Sequence, residues 1–210
     1  MHKFHRISAS VLGTFILFHL LNHVLILGSV KQHIDLMEIL RFVYRNLAIE
    51  SLLLVCVTFQ VSSGVYFVWK RRGQRSSIFE KAQAISGLYL AYFLLNHVGA
   101  VLFGRISAGL DTNIYYGIAG FHISPFHWYF VPYYFFAVAA FFVHVASAFH
   151  WLSRNEVTKK RRARLSYAIV LAGFVFSMIL MLGFSGAFSE IVIPEQYKEI
   201  YRWNAQGTSD

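Results

Sequence analysis

Apolar residues in this chain gather into five long runs, at about 8–28, 47–69, 83–104, 127–151 and 165–187, separated by short polar stretches. Each run carries few charges and is long enough to cross the hydrocarbon core of a bilayer as a helix, which takes roughly 20 residues. Buried helices of a water-soluble protein do not reach that length in such number. The predicted fold is therefore all-α: an integral membrane five-helix bundle over residues 1–188, followed by an amphipathic and polar tail over 189–210. The first run is too long for the apolar core of a signal peptide and has no small-residue cleavage site, so it is expected to remain as a span.

Composition supports the same reading. The 210 residues are 57% hydrophobic and 14% charged, where a soluble domain carries about 25% charged residues. The single cysteine, Cys56, lies inside the second run, which leaves no intrachain disulfide. The net charge of +9 is not spread as a nucleic-acid footprint. Thirteen of the nineteen basic residues fall at Lys3 and Arg6, in the segment 70–82 and in the segment 152–164. With five spans these three places share one face, and short loops rich in Lys and Arg stay cytoplasmic. The N-terminus is thus expected inside and the C-terminus outside. The clusters suit topology and anionic headgroups first; a docking face for a cytoplasmic partner is the sharper reading and is compatible with them.

Ionisable residues within spans are rare and usually functional. Here they are His19 and His23 in the first run, His97 in the third, and His144 and His150 in the fourth; Gln60 is polar in the second, and Glu50 is the one acidic residue in any span. His19 ends the string RISASVLGTFILFH and His97 ends AISGLYLAYFLLNH, each eleven residues after a serine, Ser8 and Ser86. At 1.5 Å per residue, His19 lies roughly 17 Å and His97 roughly 20 Å from the inner ends of their helices. Two imidazoles at matched depth on helices of the same direction suit one metal centre gripped from opposite sides. A haem fits, being a large apolar disc that a helix bundle encloses and that neutral histidines ligate axially. Small residues such as Gly13 and Gly87 are expected to let the porphyrin approach the backbone. His144 and Gln60 fall nearer the inner face. Zinc is the weaker competitor: His19 and His23 have a ligand spacing but no buried carboxylate or cysteine pair beside them, and His122 and His127 sit in an aromatic, interfacial-looking loop. The repeated string LLNHV at 20–24 and 94–98 would instead match His23 with His97.

These motifs resemble the five-helix, single-polypeptide cytochrome b subunits that anchor succinate dehydrogenases and fumarate reductases. That family shows a Ser-(Gly)-x10-His frame on helices one and three, met here at His19 and His97. It shows His-x-x-x-Gly-Val-Tyr before a basic loop on helix two; the stretch FQVSSGVYFVWKRR at 59–72 matches it with Gln60 at the histidine position. His144 in FFVHVASAFHW matches the fourth-helix histidine, and Glu50 a glutamate at the outer start of helix two. The resemblance spans about 8–187.

The resemblance implies an outer haem b on His19 and His97. With an amide at Gln60 it leaves the inner haem without its second ligand, so one haem is expected, and two only if His150 or His23 substitutes. It implies flavoprotein and iron–sulfur subunits on the cytoplasmic face, membrane lipid around the chain, no nucleic acid, and a quinone, with menaquinone expected, as the membrane electron partner. The setting is the cytoplasmic membrane of a bacterium, crossed several times. Glu50 is the candidate for proton exchange with the quinone, and Gln60 with His144 could instead line an inner quinone site. The alternative function is a standalone haem-binding or scaffold protein without dehydrogenase partners. The tail has apolar residues at helical spacing (Ile193, Tyr197, Ile200, Tyr201), expected to lie on the headgroups, and ends in a polar stretch of disordered character.

Overall fold

The structure, a computed structural model, describes residues 1–206, with side chains described to Arg202. Eight α-helices follow in order: α1 (His2–Val24), α2 (Val30–Tyr44), α3 (Leu47–Lys70), α4 (Ile78–Ile106), α5 (Ile114–Ile118), α6 (His127–Leu152), α7 (Lys159–Phe184) and α8 (Glu195–Gln206). Among the described residues there are no strands. Five helices, α1 with the turn after it, α3, α4, α6 and α7, are long and apolar enough to cross a membrane. The fold is the all-α, five-helix membrane bundle expected from the hydropathy pattern. The first helix starts at His2, six residues before its apolar run, because its opening turn is polar and only the hydrogen-bond ladder marks it.

Two helices lie outside the apolar runs. Ser29 caps α2 by accepting from the Gln32 amide, and His33, Met37 and Arg41, four residues apart, form its buried face. α8 opens on Glu195, whose carboxylate suits the positive end of a helix and also pairs with Lys198 and Arg202. The polar stretch at 207–210 lies outside the described residues. The start of α4 is fixed by a capping box: the Ser77 hydroxyl accepts from the Glu80 amide, and the Glu80 carboxylate accepts from the amides of Ser76 and Ser77.

The chain forms two compact units, and each of the five long helices contributes a segment to both. The first comprises residues 1–13, 53–96 and 135–179. It packs through small residues: Ala137, Ala139, Ala146, Ser147, Ser166 and Ser177 are buried, as suits helices that associate without a hydrophobic driving force. α6 and α7 come so close there that a Cβ on Gly173 would clash with Cβ of Phe142. The second unit comprises 14–52, 97–134 and 180–210. Its core holds Ile26, Met37, Ile114, Phe121, Leu180, Phe184 and Tyr197.

The tail departs from expectation. Tyr197 is 2% exposed, Ile193 is buried, and the Tyr197 hydroxyl donates to the Asp111 carbonyl at 2.9 Å. Tyr201 packs edge-on against Phe126 and Phe130. The apolar face of α8 therefore covers the segment 111–130 rather than lying on headgroups; that segment is rich enough in aromatic residues to give the helix a protein surface to bury against.

Candidate functional site

The second unit brings His19 and His97 together. α1 presents His19 and α4 presents His97, both half-buried, with ring centroids 6.1 Å apart and planes at 64°. Phe15 stacks on His19, and Tyr134 meets His97 edge-on at 6.2 Å. Tyr134 in turn contacts Phe121 and Phe184, so aromatic faces border the pair.

The ring separation taken alone suits a haem, while Nε2 of His19 is directed at His23, 3.1 Å from that residue's Nε2. An imidazole nitrogen stands about 2.0 Å from a metal it ligates, and a five-membered ring with bonds of about 1.35 Å has a radius near 1.15 Å. Two imidazoles facing each other across one iron therefore have centroids roughly 6.3 Å apart, close to the observed 6.1 Å. The donor chemistry agrees: a porphyrin supplies four nitrogens, so two protein ligands suffice. Among the described residues no group of three or more His, Cys, Asp or Glu side chains is arranged to hold a metal ion.

His23, the alternative partner of His97, turns elsewhere. Its Nε2 is 3.1 Å from Nε2 of His19 and its Nδ1 is 3.0 Å from Nε2 of His33 on α2. Asn22 Nδ2 also reaches that His33 nitrogen, at 3.2 Å. Phe184 packs edge-on against the His23 ring. Nothing in the pattern of the spans marked His33, since it lies in the polar connection; its spacing with Met37 and Arg41 was the legible signal.

Glu50, near the start of α3, pairs with Arg105 of α4, the two side chains 26% and 29% exposed. Asn46 caps the start of α3 by accepting from the Ala48 amide. Glu50 is thus a partnered carboxylate rather than a solvated one. Nearby in chain order, Arg41 is buried and pairs with Glu38 and Asp111, each at 2.7 Å.

The first unit gathers the remaining polar residues. Gln60 Nε2 donates to the His5 carbonyl and, at 2.8 Å, to Ser8 Oγ. The Ser63 hydroxyl is spent on the Phe59 carbonyl, so at 2.6 Å its oxygen accepts from His5 Nδ1–H. His144 Nδ1 stands 3.3 Å from Ser86 Oγ. Gln60 is therefore a satisfied helix–helix amide between α3 and α1. His5 escaped the sequence reading because it precedes the first apolar run. Gly87 does not border His97: a Cβ there would stand 3.2 Å from Cε1 of His144, so that ring fills the space a porphyrin was expected to use. Space beside Gly13 is open. His150 stacks on Phe79 at 3.8 Å, and His122 Nε2 donates to the Phe184 carbonyl at 2.8 Å, which accounts for both as packed residues.

No family model, curated protein or solved structure matches this chain.

Proposed function

We propose that this chain is the membrane anchor and electron-transfer subunit of a complex of the succinate:quinone oxidoreductase type, seated in the cytoplasmic membrane of a bacterium. The observation that carries the reading is the spacing of His19 and His97, at the separation two axial imidazoles need. A haem b held between them supplies a one-electron iron couple. The chain's own residues do the rest. His19 and His97 hold the group without adding buried charge, and the aromatic rings around them exclude water.

The basic segments 70–82 and 152–164 both fall in the first unit. In this reading they face the cytoplasm and receive an iron–sulfur protein and its flavoprotein. Dicarboxylate chemistry belongs to those partners. Menaquinone exchanges electrons on the outer side, where Glu50, held by Arg105, is the candidate for proton exchange. Gln60 offers an amide, a poor ligand for haem iron, and its nitrogen is bonded to His5 and Ser8, so His144 has no second ligand there and one haem per chain is expected.

A pyridine haemochrome assay on the purified protein, with His97→Ala alongside, tests this. One haem b per chain, lost in the variant, supports the reading, and none overturns it. Soluble subunits that co-purify support the anchor role; a haem-loaded chain that purifies alone at low salt points to the standalone alternative.

A further inference from the structure

The open face of α4 carries an amide where lipid tails would lie. Ile85, Leu88, Tyr92, Leu95 and Asn96 recur at three- and four-residue spacing and are all exposed, Ile85 at 70% and Leu95 at 59%. That spacing puts them on one face of the helix. Phe79, Ala84, Ser86 and Ala91, around the rest of its circumference, are buried. α4 is the least covered of the five spans.

Asn96 falls about 4 Å from the centre of the run 83–104, well inside a hydrocarbon core whose half-thickness is about 15 Å. Its Nδ2 donates to the Tyr92 carbonyl at 2.8 Å, which spends one N–H on its own helix. The second N–H and Oδ1 are left for a partner, and acyl chains offer neither donor nor acceptor. Thr58 makes the contrast on α3: it is exposed too, but its hydroxyl donates to the Leu54 carbonyl, so lipid can cover it.

A second copy of this chain meets what Asn96 lacks. Both copies insert with the same topology, so a two-fold axis relating them runs along the membrane normal. Such an axis sets each residue at the contact beside its own counterpart, at equal depth. An amide is donor and acceptor at once, so Asn96 can pair with Asn96. Ile85, Leu88 and Tyr92 then pack on their counterparts toward the start of α4.

We propose that α4 is a self-association surface: two copies of the chain pair in the membrane through Ile85, Leu88, Tyr92 and Asn96, with the two Asn96 amides hydrogen-bonded across the axis. Pairing of this kind is independent of any group held by His19 and His97.

The test labels separate batches of the full-length chain with donor and acceptor dyes, reconstitutes them together in phosphatidylcholine liposomes, and follows energy transfer as lipid is added. In the wild type, transfer is expected to fall along a dimer dissociation curve. Asn96→Leu weakens the dimer about 5- to 30-fold, the range for an interhelical hydrogen bond in model membrane peptides. Asn96→Gln, whose side chain keeps both donor and acceptor, retains most of the affinity. In a Cys56→Ala background, Ile85→Cys cross-links to its counterpart on oxidation, and Leu171→Cys, on the exposed face of α7, does not.

Transfer no greater than random mixing in the wild type overturns the proposal and leaves the face to lipid or to another membrane chain. A dimer that Asn96→Leu leaves at full strength overturns it too, as does equal cross-linking from the two cysteines. Should Asn96→Leu fail to elute as a monodisperse protein, the two cysteine variants decide.

Discussion

Gly87 lies against the imidazole of His144: a Cβ built on it would stand 3.2 Å from Cε1 and 3.4 Å from Nδ1 of that ring. Gly13, on α1 in the same unit, would carry a Cβ with no heavy atom within 4 Å, and a Cβ on Gly173 would clash with Phe142. Three helical glycines thus sit in three different degrees of crowding. Gly13→Ala is expected to stabilise the protein by about 0.5–1 kcal/mol, through the lower backbone entropy of the unfolded chain. Gly173→Ala forces α6 and α7 apart and should cost about 1–3 kcal/mol. Gly87→Val should displace His144 and break its bond to Ser86. Thermal unfolding in detergent ranks the three; an unfolding temperature for Gly173→Ala at or above that of Gly13→Ala refutes the packing argument.

The ion pair between Glu50 and Arg105 joins α3 and α4 with both side chains under a third exposed. Partial burial weakens solvent screening, so its coupling should lie near the upper end for surface pairs, about 1 kcal/mol. A double-mutant cycle with Glu50→Gln and Arg105→Met isolates it. Each single change should destabilise, and the pair together should cost less than the sum. Strict additivity would mean that the two side chains act independently.

Burial, with smaller contributions from His19 and Arg41, pushes the His33 imidazole from its ordinary 6.5 down to about 4. The unfolded chain therefore binds this proton at a higher pH than the folded one. The contribution of His33 to stability is fully present above pH 6.5 and is lost as pH falls toward 4, at up to about 1.4 kcal/mol per pH unit. Replacing His33 with Phe should flatten the stability profile within that window and leave it unchanged in slope above it. Acid titration of unfolding free energy for the two proteins is the measurement, and parallel curves between pH 6.5 and 4 would contradict it.

Hydropathy made the five spans legible because a bilayer sets both the length and the polarity of what crosses it. The serine frames located His19 and His97, and the structure places their rings together. The partners of His23 and Glu50 were not legible for a physical reason: His33 and Arg105 approach from the start of α2 and the end of α4, where the pattern carries no period linking one helix to another. Gly87 stands beside Ser86 in the frame, yet it lies nearly three turns before His97 on α4 and faces His144, which belongs with it to the first unit, while His97 belongs to the second. A shared frame fixes spacing along one helix and leaves open which neighbour each face meets. His5 lies outside the apolar run that marks the first span, whereas the helix begins about two turns earlier and carries His5 to Ser63.

α8 shows the same limit from the other side, since an amphipathic helix has one face to bury and periodicity does not say in what. The surface it covers is Tyr115, Tyr116, Phe126 and Phe130, with Tyr197 fully enclosed and bonded to the Asp111 carbonyl. Asp111 also pairs with Arg41, so this contact ties α8 to the segment that anchors α2. Tyr197→Phe removes only the hydroxyl and should cost about 1 kcal/mol. Tyr197→Ala removes the enclosed ring as well and should cost about 3–5 kcal/mol locally, enough to release α8. Limited proteolysis in detergent reads the difference: cleavage within 189–206 should accelerate strongly in the alanine variant and slightly in the phenylalanine one. Were lipid the partner of this face, adding bilayer would protect the alanine variant as well as the wild type; with protein as the partner, vesicles leave its tail as cleavable as detergent does.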